Sequence, residues 1–207
     1  KDLYDLEGKV ADAHQYFGLD PEKQTALVLG GSLGARTINQ VMQRKVDRLL
    51  DAGFQVIWQT GKLYYDAIIE AFPAAPQHLK ICACIDRMDY AYACANAIVS
   101  RAGALAVSEI SLACKPAVLV PSPNVAEDHQ TRNALALARK QAAILVNDKE
   151  AIDFMVEEAM GLLKNPEIQK QLARNIQPFG KPDAARDIAA NVLQLTGKYE
   201  HQDTKTA

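Results

Sequence analysis

The sequence predicts an α/β fold with a Rossmann-like parallel sheet of about six strands and helices on both of its faces. Short apolar runs alternate with stretches of helical periodicity along the chain, which is the pattern of β-α-β crossovers. The runs are continuously apolar, as expected for strands that are covered on both faces. Two of the turns that follow such runs are rich in small and polar residues, and we expect these turns to bind a ligand.

Composition limits the classes of function that the chain can have. The 207 residues are 49% hydrophobic and 23% charged, with a net charge of −2, as in ordinary globular proteins. This charge argues against a nucleic-acid partner, and no apolar run approaches the roughly 20 residues of a membrane span. A chain of this length buries enough surface to fold without a disulfide or a metal.

The cysteines indicate buried thiols and no metal site. Cys82, Cys84, Cys94 and Cys114 contain no Cys-x-x-Cys pair, and the first two are predicted to share one face of a strand. Thiols of this kind favour a reducing, cytosolic compartment.

The first half of the chain predicts a helical lead-in followed by alternating strands and helices. The lead-in stops at Gly18-Leu19-Asp20-Pro21, which is a turn signal. Ile38, Val41 and Met42 begin the apolar spacing of a long helix. The predicted elements are a helix over 11–17, strands over 25–30, 54–58 and 79–84, and helices over 35–50, 64–72 and 88–94.

The central stretch contains the two turns that define the candidate site. A strand over 97–99 ends at Ser100-Arg101-Ala102-Gly103, and a helix begins at Ala104. A strand over 117–120 ends at Pro121-Ser122-Pro123, and a helix begins near Asp128. In a parallel sheet both turns lie at carboxyl ends of strands, so we predict that they face one crevice.

The remaining residues predict one more strand, over 143–146, and helices from Lys149 onward that are broken at Pro166 and at 178–182. We expect a helical lead-in or interdomain linker over 1–20, a ligand-binding α/β domain over 21–196 and a disordered tail over 197–207. The chain opens without an initiator methionine, from which we expect a processed or excised fragment of a longer protein.

The side chains of the two central turns suit a sugar diphosphate. The first N–H groups of the helix at Ala104 are unpaired within the helix, and the helix dipole favours an anion there. Glu109 lies more than one turn farther on, where a carboxylate can accept the vicinal hydroxyls of a ribose; the alternative, which we favour less, is a solvated helix residue. Gln130 and Asn133 share one helix face, and their amides suit a neutral hexosamine.

Several nucleotide and catalytic sites are disfavoured. Gly30-Gly31-Ser32-Leu33-Gly34 could bind an anion or simply form a tight turn, but it lacks the Gly-x-Gly-x-x-Gly spacing of dinucleotide folds. The second strand ends in Gln59-Thr60, where an NAD site has Asp or Glu. Gly61-Lys62 lacks the spacing of an ATP phosphate loop, and no Gly-x-Ser-x-Gly elbow is present. We therefore predict no cofactor and no catalytic nucleophile.

Five blocks in order carry a resemblance to a known family. They are Gly30-Gly-Ser-Leu-Gly-Ala-Arg36, Gln59-Thr-Gly-Lys62, Ile85-Asp-Arg-Met88, Ser100-Arg-Ala-Gly-Ala-Leu-Ala-Val-Ser-Glu109 and His129-Gln-Thr-Arg-Asn133. Together they resemble the bacterial peptidoglycan transferases that move N-acetylglucosamine (GlcNAc) from UDP-GlcNAc onto lipid I, giving lipid II. The resemblance runs from about residue 25 to residue 196 and covers the C-terminal, donor-binding half of a GT-B glycosyltransferase.

The resemblance implies a role for each candidate site residue. Arg36 and Thr60 are expected near the nucleotide and its diphosphate, the Ile85 backbone at the uracil edge, and Glu109 at the ribose hydroxyls. The N–H groups of Ala104 and Leu105 are expected to meet the diphosphate and the sugar, and Gln130 and Asn133 to bind the GlcNAc hydroxyls. Leu33 and Ala106 stand where the family commonly has Gln and Thr, so we assign no phosphate contact to either residue.

The resemblance also implies an inverting hexosyl transfer without a metal. The acceptor lipid I and the general base belong to an N-terminal half, so we expect no catalytic residue here and no activity from this chain alone. The transferases of this family are cytoplasmic and peripheral on the inner face of the bacterial cell membrane. The alternatives are a free-standing donor subunit of a split lipid-linked glycosyltransferase, half of a UDP-GlcNAc 2-epimerase, and a non-catalytic nucleotide-sugar sensor.

Overall fold

A computed structural model describes residue 3, residues 5–123 and residues 128–195, and the strands of this part form one parallel sheet. Every strand pair is parallel, and the order across the sheet is β3-β2-β1-β4-β5-β6. The predicted fold class is confirmed. The strands are β1 (Thr25–Leu29), β2 (Gln55–Gln59), β3 (Leu79–Cys82), β4 (Ala97–Ser100), β5 (Ala117–Leu119) and β6 (Ile144–Leu145).

The helices alternate with the strands and then continue to the end of the described chain. Short 3-10 turns precede the first and seventh helices and follow the eighth, at Glu7–Lys9, Asp148–Glu150 and Gln177–Phe179. The helices are α1 (Val10–Phe17), α2 (Arg36–Asp51), α3 (Tyr65–Ala71), α4 (Met88–Cys94), α5 (Ala104–Leu112), α6 (His129–Ala138), α7 (Ala151–Lys164), α8 (Pro166–Ile176) and α9 (Ala184–Leu195).

Helices cover both faces of the sheet because alternate strand residues point to opposite sides. Ala26 and Val28 of β1 pack into a core beneath α2, α3 and α7. Leu27 and Leu29 pack into a second core beneath α1, α4, α5 and α6. The strands are therefore buried on both faces, which explains why their sequences are continuously apolar.

The predicted lead-in helix is α1, and it packs onto the domain. Ala13 and Phe17 belong to the second core, and Gly18 ends the helix in the left-handed conformation, with φ +59°. Lys9 Nζ donates to Asp89 Oδ2 of α4 at 3.0 Å. The boundary after residue 20 stays a prediction, and the predicted tail lies outside the described residues.

The structure corrects the prediction that Cys82 and Cys84 lie together as buried thiols. Strand β3 ends at Cys82, which pairs with Gln59, and the chain then bends at residues 83 and 84. Cys82 is half-buried and Cys84 is exposed. Within the described ranges, no helix is both long enough and apolar enough to span a membrane.

Candidate functional site

The strand order places a crevice between β1 and β4. These neighbouring strands lead into helices on opposite faces of the sheet, because α2 packs in the first core and α5 in the second. The loops that follow them diverge and leave an opening at the carboxyl edge. Open α/β sheets bind their ligands at such a reversal of strand order.

The glycine-rich loop after β1 forms one wall of this crevice and rests on the loop after β2. Gly34 and Gly61 both have positive φ, at +91° and +80°. The backbones approach so closely that a Cβ atom on Gly61 would lie 2.1 Å from the Gly34 nitrogen. Lys62 N donates to Ser32 O at 3.2 Å across the same contact. The two loops therefore form one packed unit that only glycine at these positions permits.

A cavity of about 600 Å³ lies against this wall, which is room for a nucleotide sugar. Its lining combines the glycine-rich loop with Gln130 of α6 and with Arg101, Ser122 and Asp148, which follow β4, β5 and β6. Arg36 is the first residue of α2 and is exposed, with its side chain among those that line the cavity. The structure thus brings together two of the predicted site residues, Arg36 and Gln130.

The first turn of α5 is open, as its sequence predicts. Gly103 precedes the helix in an extended conformation, and the first bond of the helix runs from Val107 N to Gly103 O at 2.9 Å. The N–H groups of Ala104, Leu105 and Ala106 therefore have no acceptor among the described residues. Ala104 and Leu105 are exposed, so an anion can reach these donors.

Gln130 and Asn133 connect α6 to the two central turns. Gln130 Oε1 accepts the Ser122 N–H at 3.0 Å, and Asn133 Nδ2 donates to Ala102 O at 3.0 Å. These backbone partners fix the orientation of both amides, leaving the Gln130 NH₂ group and Asn133 Oδ1 available. Asp128 precedes the helix in a left-handed conformation, and its side chain makes no cap hydrogen bond there.

Glu109 lies on the α4 side of α5 and does not line the cavity that Gln130 lines. It is half-buried, and its Oε2 accepts the Tyr92 hydroxyl at 3.3 Å. Burial raises the pKa of Glu109 above the usual value, and the hydrogen bond from Tyr92 acts in the opposite direction. The predicted sugar-binding amides and the predicted ribose acceptor thus flank α5 on different sides.

Thr60 and Ile85 occupy two further loops at the same edge. Thr60 is fully buried, and its single hydroxyl proton is shared between the carbonyls of Gly61 and Cys82, each 3.2 Å from Oγ1. Its side chain therefore holds the loop after β2, and its predicted contact with the nucleotide stays a prediction.

Ile85 has a buried side chain and lines a cavity of about 520 Å³. No described residue hydrogen-bonds to its backbone N–H or C=O, so both groups can pair with a base edge.

Sequence reasoning assigned no role to the ion pair between Arg101 and Asp148. The Arg101 guanidinium donates to the Asp148 carboxylate. It also donates to the carbonyls of Val120 and Pro121, at 3.0 and 3.2 Å. Thr37 donates its hydroxyl to the other Asp148 oxygen at 3.0 Å. The network joins the loops after β4, β5 and β6 to the first turn of α2. Arg101 directly follows β4, and Asp148 begins the 3-10 turn after β6. A position near the carboxyl end of a strand could have identified both residues.

Replacing Asp148 with alanine should lower the free energy of unfolding by about 1–3 kcal/mol. This loss lies between those expected for breaking an exposed salt bridge and a fully buried one. The Arg101 and Asp148 side chains are only 17% and 18% exposed, so the guanidinium loses a partner that solvent replaces poorly. Chemical denaturation measures the effect. Asp183→Ala is the control, because the Asp183 and Arg186 side chains are 55% and 75% exposed. Equal losses in the two variants would contradict a clamping role for Asp148.

The described ranges contain no group of three or more His, Cys, Asp or Glu residues that could hold a metal ion. The cavity is instead lined by the glycine-rich loop, the Gln130 amide and the guanidinium groups of Arg36 and Arg101. Asn133 contacts the neighbouring turn before α5, where the first N–H groups of the helix are open. This set can bind phosphates and sugar hydroxyls.

Comparisons with known proteins identify the family of the chain. Residues 25–192 match the glycosyltransferase family 28 C-terminal domain. The chain is 48% identical over 195 residues to the UDP-N-acetylglucosamine–N-acetylmuramyl-(pentapeptide) pyrophosphoryl-undecaprenol N-acetylglucosamine transferase of Cytophaga hutchinsonii. That match covers 94% of this chain and 52% of the relative, so the chain spans about half the length of the curated relatives it matches.

Solved structures with a similar fold include one transferase and one epimerase. The crystal structure of MurG from Acinetobacter baumannii matches with a TM-score of 0.73 and 28% identity, covering 92% of this chain and 54% of that one. A UDP-N-acetylglucosamine 2-epimerase matches with a TM-score of 0.57 and 17% identity, over 98% of this chain and 52% of that one. The likeness to the epimerase concerns the fold alone.

Proposed function

The chain belongs to the glycosyltransferase family 28 C-terminal domains, and from this premise we propose that it is the donor-binding half of an inverting N-acetylglucosaminyltransferase that converts lipid I to lipid II. The observation that carries the proposal is the open first turn of α5 at the reversal of strand order. Three N–H groups there, at residues 104–106, have no acceptor in the described chain. The Cytophaga hutchinsonii relative, named as a transferase of this kind, supports the choice of substrates.

In this proposal UDP-GlcNAc lies across the carboxyl edge of the sheet. The diphosphate meets the N–H groups of Ala104 and Leu105, and Arg36 adds positive charge from the first turn of α2. The uracil edge pairs with the Ile85 backbone, while Glu109 accepts the ribose hydroxyls. Gln130 and Asn133 bind the GlcNAc hydroxyls through the amide atoms that their backbone partners leave available.

The proposed reaction is a single displacement. The 4-hydroxyl of the muramyl sugar attacks the anomeric carbon of GlcNAc, the bond to the diphosphate breaks, and UDP leaves with inversion at that carbon. This half contributes donor orientation and stabilises the charge that develops on the diphosphate. The dipole of α5 supplies about 0.3–1 kcal/mol when exposed and up to about 2 kcal/mol when partly buried. The base that takes the hydroxyl proton belongs to the N-terminal half, as do the contacts with lipid I and the peripheral contact with the membrane.

Isothermal titration calorimetry on the 207-residue chain tests donor binding. We expect UDP-GlcNAc to bind and UDP-GalNAc, its 4-epimer, to bind more weakly, because the proposal assigns the 4-hydroxyl to Asn133. The chain alone should release no UDP in the presence of lipid I, and adding a separately expressed N-terminal half should restore transfer. Absence of UDP-GlcNAc binding would contradict the proposed function. Equal binding of the two epimers would remove only the role of Asn133.

A further inference from the structure

We infer that Tyr92 is a positioning residue for the donor, because its buried hydroxyl orients the Glu109 carboxylate toward the two ribose hydroxyls. The inference rests on the proposed function. It gives helix α4 a role in recognising the ribose, although none of the predicted site residues lies on this helix.

Tyr92 is a fixed donor. The residue is 0% exposed within the second core, where its ring packs beneath the helices of one sheet face. A tyrosine side chain has only two rotatable torsions, and complete burial of the ring restricts both. Its hydroxyl has one hydrogen-bond partner among the described residues, Glu109 Oε2, at 3.3 Å.

Glu109 needs such a partner because the glutamate side chain has three torsions and many conformations. Glu109 is half-buried on α5, so the residue is partly accessible to a ligand. An ionised carboxylate offers about four lone-pair positions. The bond from Tyr92 occupies one position on Oε2 and restricts the rotation of the group. It leaves Oε1 and the remaining Oε2 position for two vicinal hydroxyls.

The hydrogen bond also favours the ionised state of Glu109, the state that only accepts hydrogen bonds. Burial raises the pKa of this carboxyl, and the Tyr92 hydroxyl opposes that rise. Removing the hydroxyl should therefore weaken recognition of the ribose hydroxyls specifically, without affecting contacts with the diphosphate or the base.

The test compares UDP with 2′,3′-dideoxy-UDP, which lacks both hydroxyls, on the wild-type chain and on Tyr92→Phe. Wild type should prefer UDP. In Tyr92→Phe we expect UDP to bind about 3- to 10-fold more weakly, the loss typical of one ordinary hydrogen bond. The affinity for the dideoxy nucleotide should change by less than about twofold, so the preference for UDP falls.

Tyr90→Phe is the matched control. It removes a hydroxyl from the same helix, but the Tyr90 ring packs against the Arg87 guanidinium, 3.5 Å from the ring centroid, and against Tyr16. The preference for UDP should be unchanged in this variant. Combining Tyr92→Phe with Glu109→Gln should reduce the preference no further than Glu109→Gln alone, because both changes act on one interaction.

Each other outcome overturns the inference. If Tyr92→Phe weakens both nucleotides equally, or fails to fold, the hydroxyl supports the fold and not the carboxylate. If the preference for UDP is unchanged while wild type binds UDP-GlcNAc, the role of Tyr92 is wrong and the proposed function stands. If wild type binds none of these nucleotides, the proposed function itself is wrong and this inference falls with it.

Discussion

Replacing Gly61 with alanine should lower the free energy of unfolding by about 2–5 kcal/mol, the largest effect on stability that we expect from a single methyl group in this protein. The left-handed backbone, with φ +80°, costs about 1–2 kcal/mol in a residue with a side chain. The added Cβ would lie 2.1 Å from Gly34 N and 2.3 Å from Gly34 Cα. Both atoms belong to the backbone, so overpacking adds about 1–3 kcal/mol. Chemical denaturation measures the sum.

Gly53→Ala separates the two contributions. Gly53 has a similar φ of +86°, but no heavy atom lies within 4 Å of the position that its Cβ would take. This variant should therefore lose only the backbone part, about 1–2 kcal/mol. UDP-GlcNAc binding should remain intact in Gly53→Ala and weaken in Gly61→Ala, because displacing Gly34 moves the wall of the 600 Å³ cavity. Equal stability of the two variants would show that the contact between the two loops is not tight.

The fold class could be predicted because it depends on local pattern. Continuous apolar runs mark β1, β4 and β5, and helical spacing marks α2 and α7, so the alternation is visible without knowledge of tertiary contacts. The order of the strands depends on which runs pair across the sheet, and a single sequence does not contain that information. The position of the crevice between β1 and β4 therefore follows only from the structure.

The candidate site was predictable where it depends on a helix terminus and less so where it depends on tertiary packing. The open turn at Ala104 follows from an apolar run, a glycine and a helical pattern in sequence. The clamp of Arg101 on Asp148 joins residues that are 47 positions apart, and periodicity indicates neither partner. The predicted position of Cys84 in a strand is wrong. Strand β3 ends at Cys82, its last residue that pairs with β2, whereas the apolar sequence continues past Cys82.

Glu109→Ala should weaken the binding of UDP by about 1–3 kcal/mol, roughly 5- to 150-fold, because the ribose hydroxyls lose hydrogen bonds to a charged group. The loss should appear in calorimetric titrations with UDP and with UDP-GlcNAc alike, since both carry the same ribose. Glu109→Gln should lie between wild type and alanine, because the amide retains one acceptor oxygen but loses the charge.

Stability must be separated from recognition in this experiment, because Glu109→Ala also leaves the buried Tyr92 hydroxyl without its described partner. That group should cost about 1–3 kcal/mol in the free energy of unfolding, so titrations belong at a temperature where circular dichroism shows every variant folded. Glu167→Ala is the matched control, because that side chain is 82% exposed and pairs only with Lys170 among the described residues. It should bind UDP as wild type does. A folded Glu109→Ala chain with unchanged affinity for UDP would assign the ribose to other residues, because a carboxylate that accepts two hydroxyls cannot be removed without loss of binding.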